Sequence, residues 1–390
     1  MNPEDFLLLV CVNPQFLQKE IDSQLKSTID WNHFLESAIH NGLAPLAYHA
    51  FSKLKDKSAI PQSTFNELQK YYYKNLSKNT VLYFEFNNIV SALNDNGIRA
   101  VALKGIFLAD KIYENIGLRQ LSDIDILVHA ENAETAANIL KENGFESDIR
   151  KTKSKLYLDM MDTKHLEMLF KNGVGVEIHK RVINTDNAFD IPLKDFWGHT
   201  LTTTIVENKV LAFDAHFQLL HICMHLDEHF VAASMHFIGY VDILWIIEKY
   251  KIEIDWKFFD EICVKYNCMA NAYPHLYLSC KYLGATIPDF LMLKAQTFCN
   301  QYHDEYFINK LQCNHHFVPI ERNRNVYALK KIRGIKPKIL FLLEDLFPSK
   351  RFMIYRYNIK NQRIYYWYYL VRLLGGVVSL FKYIFRIKSA

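Results

Sequence analysis

Apolar residues recur at three- and four-residue spacing through Phe34, Ala38, Leu43 and Leu46, and again through Leu82, Phe86, Ile89 and Leu93. That period sets one apolar stripe on a helix face, so residues 1 to about 95 are expected to be helical. Asp30 is placed to cap the helix that opens at Trp31, Pro45 and Pro61 mark helix starts or breaks, and Gly97 follows Asn94-Asp95-Asn96 as a stop. The pattern then changes. A short apolar run, Ile98 to Leu103, enters a Lys104-Gly105 turn and a helical stretch from Ile106 to Tyr113, which is strand, turn and helix in sequence. A second strand is expected over Ile124 to Val128, a helix from Asn132 to Asn143 closed by Gly144, and a strand near Phe145. His165 to Phe170 and Val174 to His179 form a hairpin pattern about Lys171-Asn172-Gly173. The sheet is expected to end near residue 185, with helices at 214–230, 236–250 and 256–267.

These elements describe an α+β protein: a small mixed sheet flanked by largely helical amino- and carboxy-terminal regions. The expected division is a helical region at 1–95, a sheet-bearing core at 96–190, a helical domain at 191–320 and a basic, aromatic helical tail at 321–390. With 390 residues, half of them apolar, and only 13 Gly and 10 Pro, disorder and fibrous repeats are excluded. The seven cysteines are odd in number and form no Cys-x-x-Cys pair, which reads as reduced thiols in a cytoplasmic protein and gives structural zinc no support.

Charge divides the chain unevenly. Residues 321–390 hold 16 Lys+Arg against 3 Asp+Glu, while the remainder holds 30 against 39. The apolar run Phe6 to Val12 is preceded by Glu4 and Asp5 and so lacks the basic start of a signal peptide. Between Arg372 and Lys382 lie nine uncharged residues, too few to cross a bilayer. Tyr365-Tyr366-Trp367-Tyr368-Tyr369 beside lysines and arginines suits peripheral contact with anionic lipid at the inner face of a membrane. The run Lys330, Lys331, Arg333, Lys336 and Lys338 also admits nucleic acid, a less favoured partner, or a solvated helix packed on the acidic body.

The chemistry concentrates in Ser122-Asp123-Ile124-Asp125-Ile126-Leu127-Val128. Residues two apart on a strand share a face, so the Asp123 and Asp125 carboxylates point the same way from bases roughly 6–7 Å apart. Such a pair repels itself unless neutralised, and magnesium shared with substrate phosphates is the usual answer. Glu177, in Val176-Glu177-Ile178-His179, is the best third carboxylate. Gly105 ahead of a helix admits a phosphate to the backbone N–H groups, with Lys104 and Arg119 adding charge. Lys104 and Arg119 are equally readable as counter-ions to acidic groups, and Asp123 as a turn residue after Ser122. His221, His225 and His229 share a helix face, which fits either satisfied core histidines or a cleft lining; Asp242 fits a hydrogen-bond partner for one of them. His179 shares a strand face with Glu177, at the rim of the site.

Leu103-Lys104-Gly105, Gly117-Leu118-Arg119, Ser122-Asp123-Ile124-Asp125-Ile126-Leu127-Val128 and Val176-Glu177-Ile178-His179 together resemble the uncharacterised nucleotidyltransferase family of the polymerase-beta-like nucleotidyltransferase superfamily. Asp30-Trp31, Leu43-Ala44-Pro45, the three histidines and Tyr240-Val241-Asp242 extend the likeness over most of 30–260. The resemblance implies a nucleotidyltransferase sheet in which Asp123, Asp125 and Glu177 are catalytic and hold two Mg2+ ions. Lys104, Gly105, Arg119 and Ser122 then bind a nucleoside triphosphate, and His179, His221, His225 and Asp242 line the cleft. Two departures stand out: Lys104-Gly105-Ile106 replaces the Gly-Gly or Gly-Ser of the wider superfamily, and Glu177 replaces the commoner aspartate.

The implied reaction moves a nucleoside monophosphate to an acceptor hydroxyl on a small molecule, glycan intermediate or protein, releasing pyrophosphate. The alternatives are a catalytically reduced scaffold that binds nucleotide or a partner protein, and an RNA-directed transferase that uses the basic tail.

Overall fold

A computed structural model describes residues 1–15, 18–147, 164–183, 191–231, 237–313, 335–348 and 350–374. The expected basic residues Lys330, Lys331 and Arg333 lie outside the described residues. Seven strands form one mixed sheet: β1 (Val101–Ala102), β2 (Ile124–Leu127), β3 (Glu146–Ser147), β4 (Leu169–Lys171), β5 (Val174–His179), β6 (Thr200–Ile205) and β7 (Asn208–Phe213). Their order is β3-β4-β5-β2-β1-β7-β6. β2 runs antiparallel to β1 and parallel to β5, while β1 and β7 are parallel.

The α+β class holds, with helices flanking the sheet at both ends of the chain. The expected end of the sheet near 185 does not. Strands β6 and β7 lie beyond it, and β7 docks beside β1 through Val101 and Leu211. The β-branched run Thr202-Thr203-Thr204-Ile205 was the available signal, but its turn is Val206-Glu207, with Val206 at φ 56°, where a hairpin ordinarily places Gly or Asn. The expected helix at Ile106–Tyr113 instead starts on Lys104, runs to Phe107 and continues as a wider turn over Leu108–Ile112.

Helix starts and stops follow the sequence more closely. The Asp30 side chain accepts from the Asn32 and His33 amides, capping the helix Trp31–His40. Gly97 and Gly144 both take positive φ where helices end. The helix Gln62–Asp95 buries Leu68, Leu82, Phe86, Ile89 and Leu93 on one stripe and packs on β5 and β7. Helix Ala215–Val231 packs on β7 and, with helices Ile238–Lys249 and Met269–Leu283, builds a three-helix layer. The two helical ends of the chain meet: Trp245 Nε1 donates to the Val12 carbonyl at 2.8 Å, and Asn41 Nδ2 to the Leu311 carbonyl at 3.0 Å. All seven cysteines are free thiols. Among the described residues no helix is long and apolar enough to cross a membrane.

Candidate active site

On β2, Ile124 and Ile126 are buried in the core, as are Val176 and Ile178 on β5. The period of two therefore sends Asp125, Glu177 and His179 to the other face. Parallel pairing sets Asp125 beside Glu177 and Leu127 beside His179. One ligand atom from each of Asp125, Glu177 and His179 falls within 4.8 Å of the others. His179, fully buried, brings Nε2 to 2.8 Å from Asp125 Oδ1 and 3.4 Å from Glu177 Oε2. It lies beneath the site, between the carboxylates, and not at the rim.

Asp123 precedes β2 and faces the same cavity as Asp125 and Glu177, outside that tight group, with Ser122 Oγ donating to its Oδ1 at 2.5 Å. Burial and the neighbouring Asp125 charge push its carboxyl up to about 6. Asp125 behaves oppositely. Burial disfavours its charge, but Lys104 and the His179 hydrogen bond outweigh burial and hold its carboxyl well below the usual range. Glu177 is likewise drawn down against burial, by His179 and His165.

Lys104 Nζ lies 2.9 Å from Asp125 Oδ1, a buried ion pair that raises the lysine despite its desolvation. Arg119 is paired elsewhere: its Nε and Nη2 donate to the two oxygens of Asp242 at 2.8 and 2.7 Å, and Tyr113 donates to the same carboxylate. Asp242 thus partners an arginine and a tyrosine and not one of the histidines. Gly105 has no positive φ; a Cβ there would stand 2.5 Å from Leu121 Cδ2 and 2.8 Å from Arg119 Nη1. Close approach of those two side chains is itself a reason for glycine.

The cavity above these groups measures about 630 Å³ and has the dimensions of a small-molecule site. Its other walls bring in His225 and His229, the turn at Asn41-Gly42, and three lysines that the spacing arguments missed, Lys78, Lys164 and Lys310. Each comes from a distant helix or loop, so no local pattern marks it. His221 is buried behind the wall, edge-on to Phe213, with both ring nitrogens unbonded among the described residues; burial holds it and His225 well below the ordinary histidine range.

Asp125 and Glu177 face the cavity with Asp123 beside them, and these carboxylate oxygens suit a hard divalent cation of the Mg2+ or Mn2+ kind, with His179 buried beneath them. A mixed sheet that brings three carboxylates and a lysine to one cavity is an arrangement suited to metal-dependent nucleotidyl transfer. The description "uncharacterised nucleotidyltransferase" attaches to the family whose model matches residues 27–284, and the chain belongs to that family. No curated protein and no solved structure matches the chain.

Proposed function

We infer that the chain transfers a nucleoside monophosphate from a nucleoside triphosphate to an acceptor hydroxyl, with release of pyrophosphate. The observation that carries this reading is the in-register pair Asp125 and Glu177, with Asp123 at its entrance, opening on one cavity lined by lysines. Asp123, Asp125 and Glu177 would hold the divalent cation, which when bound supplies charge neutralisation and activates the acceptor oxygen. Ser122 orients Asp123, and His179 orients both Asp125 and Glu177 from below. Lys78 and Lys310 supply positive charge toward a triphosphate, whereas Lys164 in the same wall is paired with Glu228 at 2.5 Å. Arg119, locked on Asp242, shapes the wall and presents an edge to the cavity.

Because the body outside the tail is acidic, the acceptor is a small molecule, glycan intermediate or protein and not RNA. The scaffold alternative draws support from Lys104, which already neutralises Asp125. Pyrophosphate release with pooled acceptors decides between them. On the transferase reading the wild-type chain should release pyrophosphate in Mg2+, and Asp123→Asn/Asp125→Asn should lower that release by about a thousandfold. Nucleotide-dependent thermal stabilisation with no release in either protein supports the scaffold.

The tail supports a cytoplasmic protein resting on a membrane surface. Ile335, Trp367 and Leu374 are 76%, 68% and 67% exposed while Met353 and Ile359 are buried, so part of the tail's apolar surface stays open, in a sequence rich in basic residues.

A further inference from the structure

Of the three carboxylates, one already has a cation. Lys104 takes φ 44°, a left-handed conformation that a side chain adopts at a cost. Its neighbour Leu103 donates its amide to the Asp125 carbonyl at 3.1 Å, which continues the β1–β2 ladder and fixes the lysine beside the acid. From there the buried side chain, 9% exposed, sets Nζ at 2.9 Å from Asp125 Oδ1. The same oxygen faces His179 Nε2 at 2.8 Å, so it is occupied from two sides. Asp123 and Glu177 have no lysine or arginine partner among the described residues. Direct pairing with a lysine in this site is therefore asymmetric: among the described residues Asp125 alone of the three carboxylates makes it, while Lys78 and Lys310 stand in the cavity wall without contacting an acid of the site.

The geometry points to Lys104 as a tethered cation that takes the place of one of two divalent ions, so that this nucleotidyltransferase site seats a single divalent ion. The proposal rests on the metal-dependent transfer reading for the ion's purpose, but the number of ions does not depend on turnover. A second divalent ion drawn to Asp125 would meet an ammonium held by the backbone in a water-poor pocket, where like charges repel strongly. The same arrangement gives a role to the lysine that precedes the turn glycine in Lys104-Gly105-Ile106. Asp125 then calls for no second ion, and the single ion recruited with substrate is shared by the three carboxylates that face the cavity.

The test is a Mn2+ titration of the whole chain, alone and with a non-hydrolysable nucleoside triphosphate, read by equilibrium binding and electron paramagnetic resonance. Wild type should bind one Mn2+ per chain and give no spin-coupled pair. Lys104→Met should bind Mn2+ more tightly, by about tenfold or more, and show a coupled pair. Lys104→Arg, which keeps the charge, should stay at one ion. Two coupled ions in the wild type overturn the proposal, as does Lys104→Met with unchanged count and affinity. Should the Met variant fail to fold by circular dichroism, the wild-type count decides alone. Absence of Mn2+ binding from every protein overturns the proposal together with the metal reading. Metal binding at the expected count without pyrophosphate release faults the transfer reaction only.

Discussion

Asp123 and Asp125 stand two residues apart yet titrate in opposite directions, because only Asp125 is given a lysine and a histidine. A carboxyl raised from 3.8 to about 6 binds its proton more tightly in the folded chain. The stability it contributes is therefore complete below about pH 4 and lost as pH rises through about 6. In metal-free buffer, the unfolding free energy of wild type relative to Asp123→Asn should fall by on the order of 2 kcal/mol between about pH 4 and pH 7. A flat difference in denaturant titrations across that window removes the assignment. On the proposed reading Mg2+ would compete with the proton at this carboxyl, so thermal stabilisation of wild type by Mg2+ should be larger at neutral pH than at pH 5. At this scale the shared side of Asp123 and Asp125, and that of Glu177 and His179, was legible, since alternation along a strand needs no tertiary information, whereas the pairing that sets Asp125 beside Glu177 was not. Lys78, Lys164 and Lys310 were not, because a lysine on a helix or loop reads as solvated until the fold turns it toward a cavity.

Among the elements, the loop between the Leu108–Ile112 turn and β2 shows how a helix face can act beyond packing. Asn75 and Asn79, one helical turn apart on Gln62–Asp95, are both buried; Asn75 Nδ2 donates to the Gly117 carbonyl and Asn79 Nδ2 to that of Arg119, each at 2.8 Å. Lys78 Nζ adds a bond to the Leu121 carbonyl at 2.6 Å. The loop that carries Arg119, Ser122 and Asp123 is thereby strapped to the helix, and Leu121 is driven against Gly105. Gly105→Ala should consequently destabilise the chain by about 1–3 kcal/mol in chemical denaturation. The double variant Gly105→Ala/Leu121→Ala should be less destabilised than the sum of the singles, because shortening Leu121 removes the closest contact. Strict additivity would show that the two do not meet. Neither contact was visible in the sequence: asparagines inside a helix ordinarily face water, and the spacing gave Gly105 a phosphate-turn reading with no sign of Leu121.

Across the whole molecule, charge and apolar exposure separate the tail from the body. Helix Ile335–Leu346 leaves Ile335, Ile339, Leu342 and Leu346 exposed at three- and four-residue spacing, in a region of 16 basic and 3 acidic residues. In vesicle flotation the full chain should bind anionic vesicles and not neutral ones, and removal of 321–390 should abolish binding. Salt weakens that binding; equal binding to neutral vesicles or preference for RNA would displace the membrane reading. What the sequence determined by itself is the local grammar: amphipathic helices, caps at Asp30, Gly97 and Gly144, and an acidic strand whose alternation commits Asp123 and Asp125 to one side. These depend on backbone periodicity, which neighbours a few residues away fix. Only the tertiary structure decided that β7 joins β1 across more than a hundred residues, that Asp242 belongs to Arg119 and that Lys104 belongs to Asp125. A charge chooses its partner by distance and desolvation, and those quantities exist only after the chain has packed.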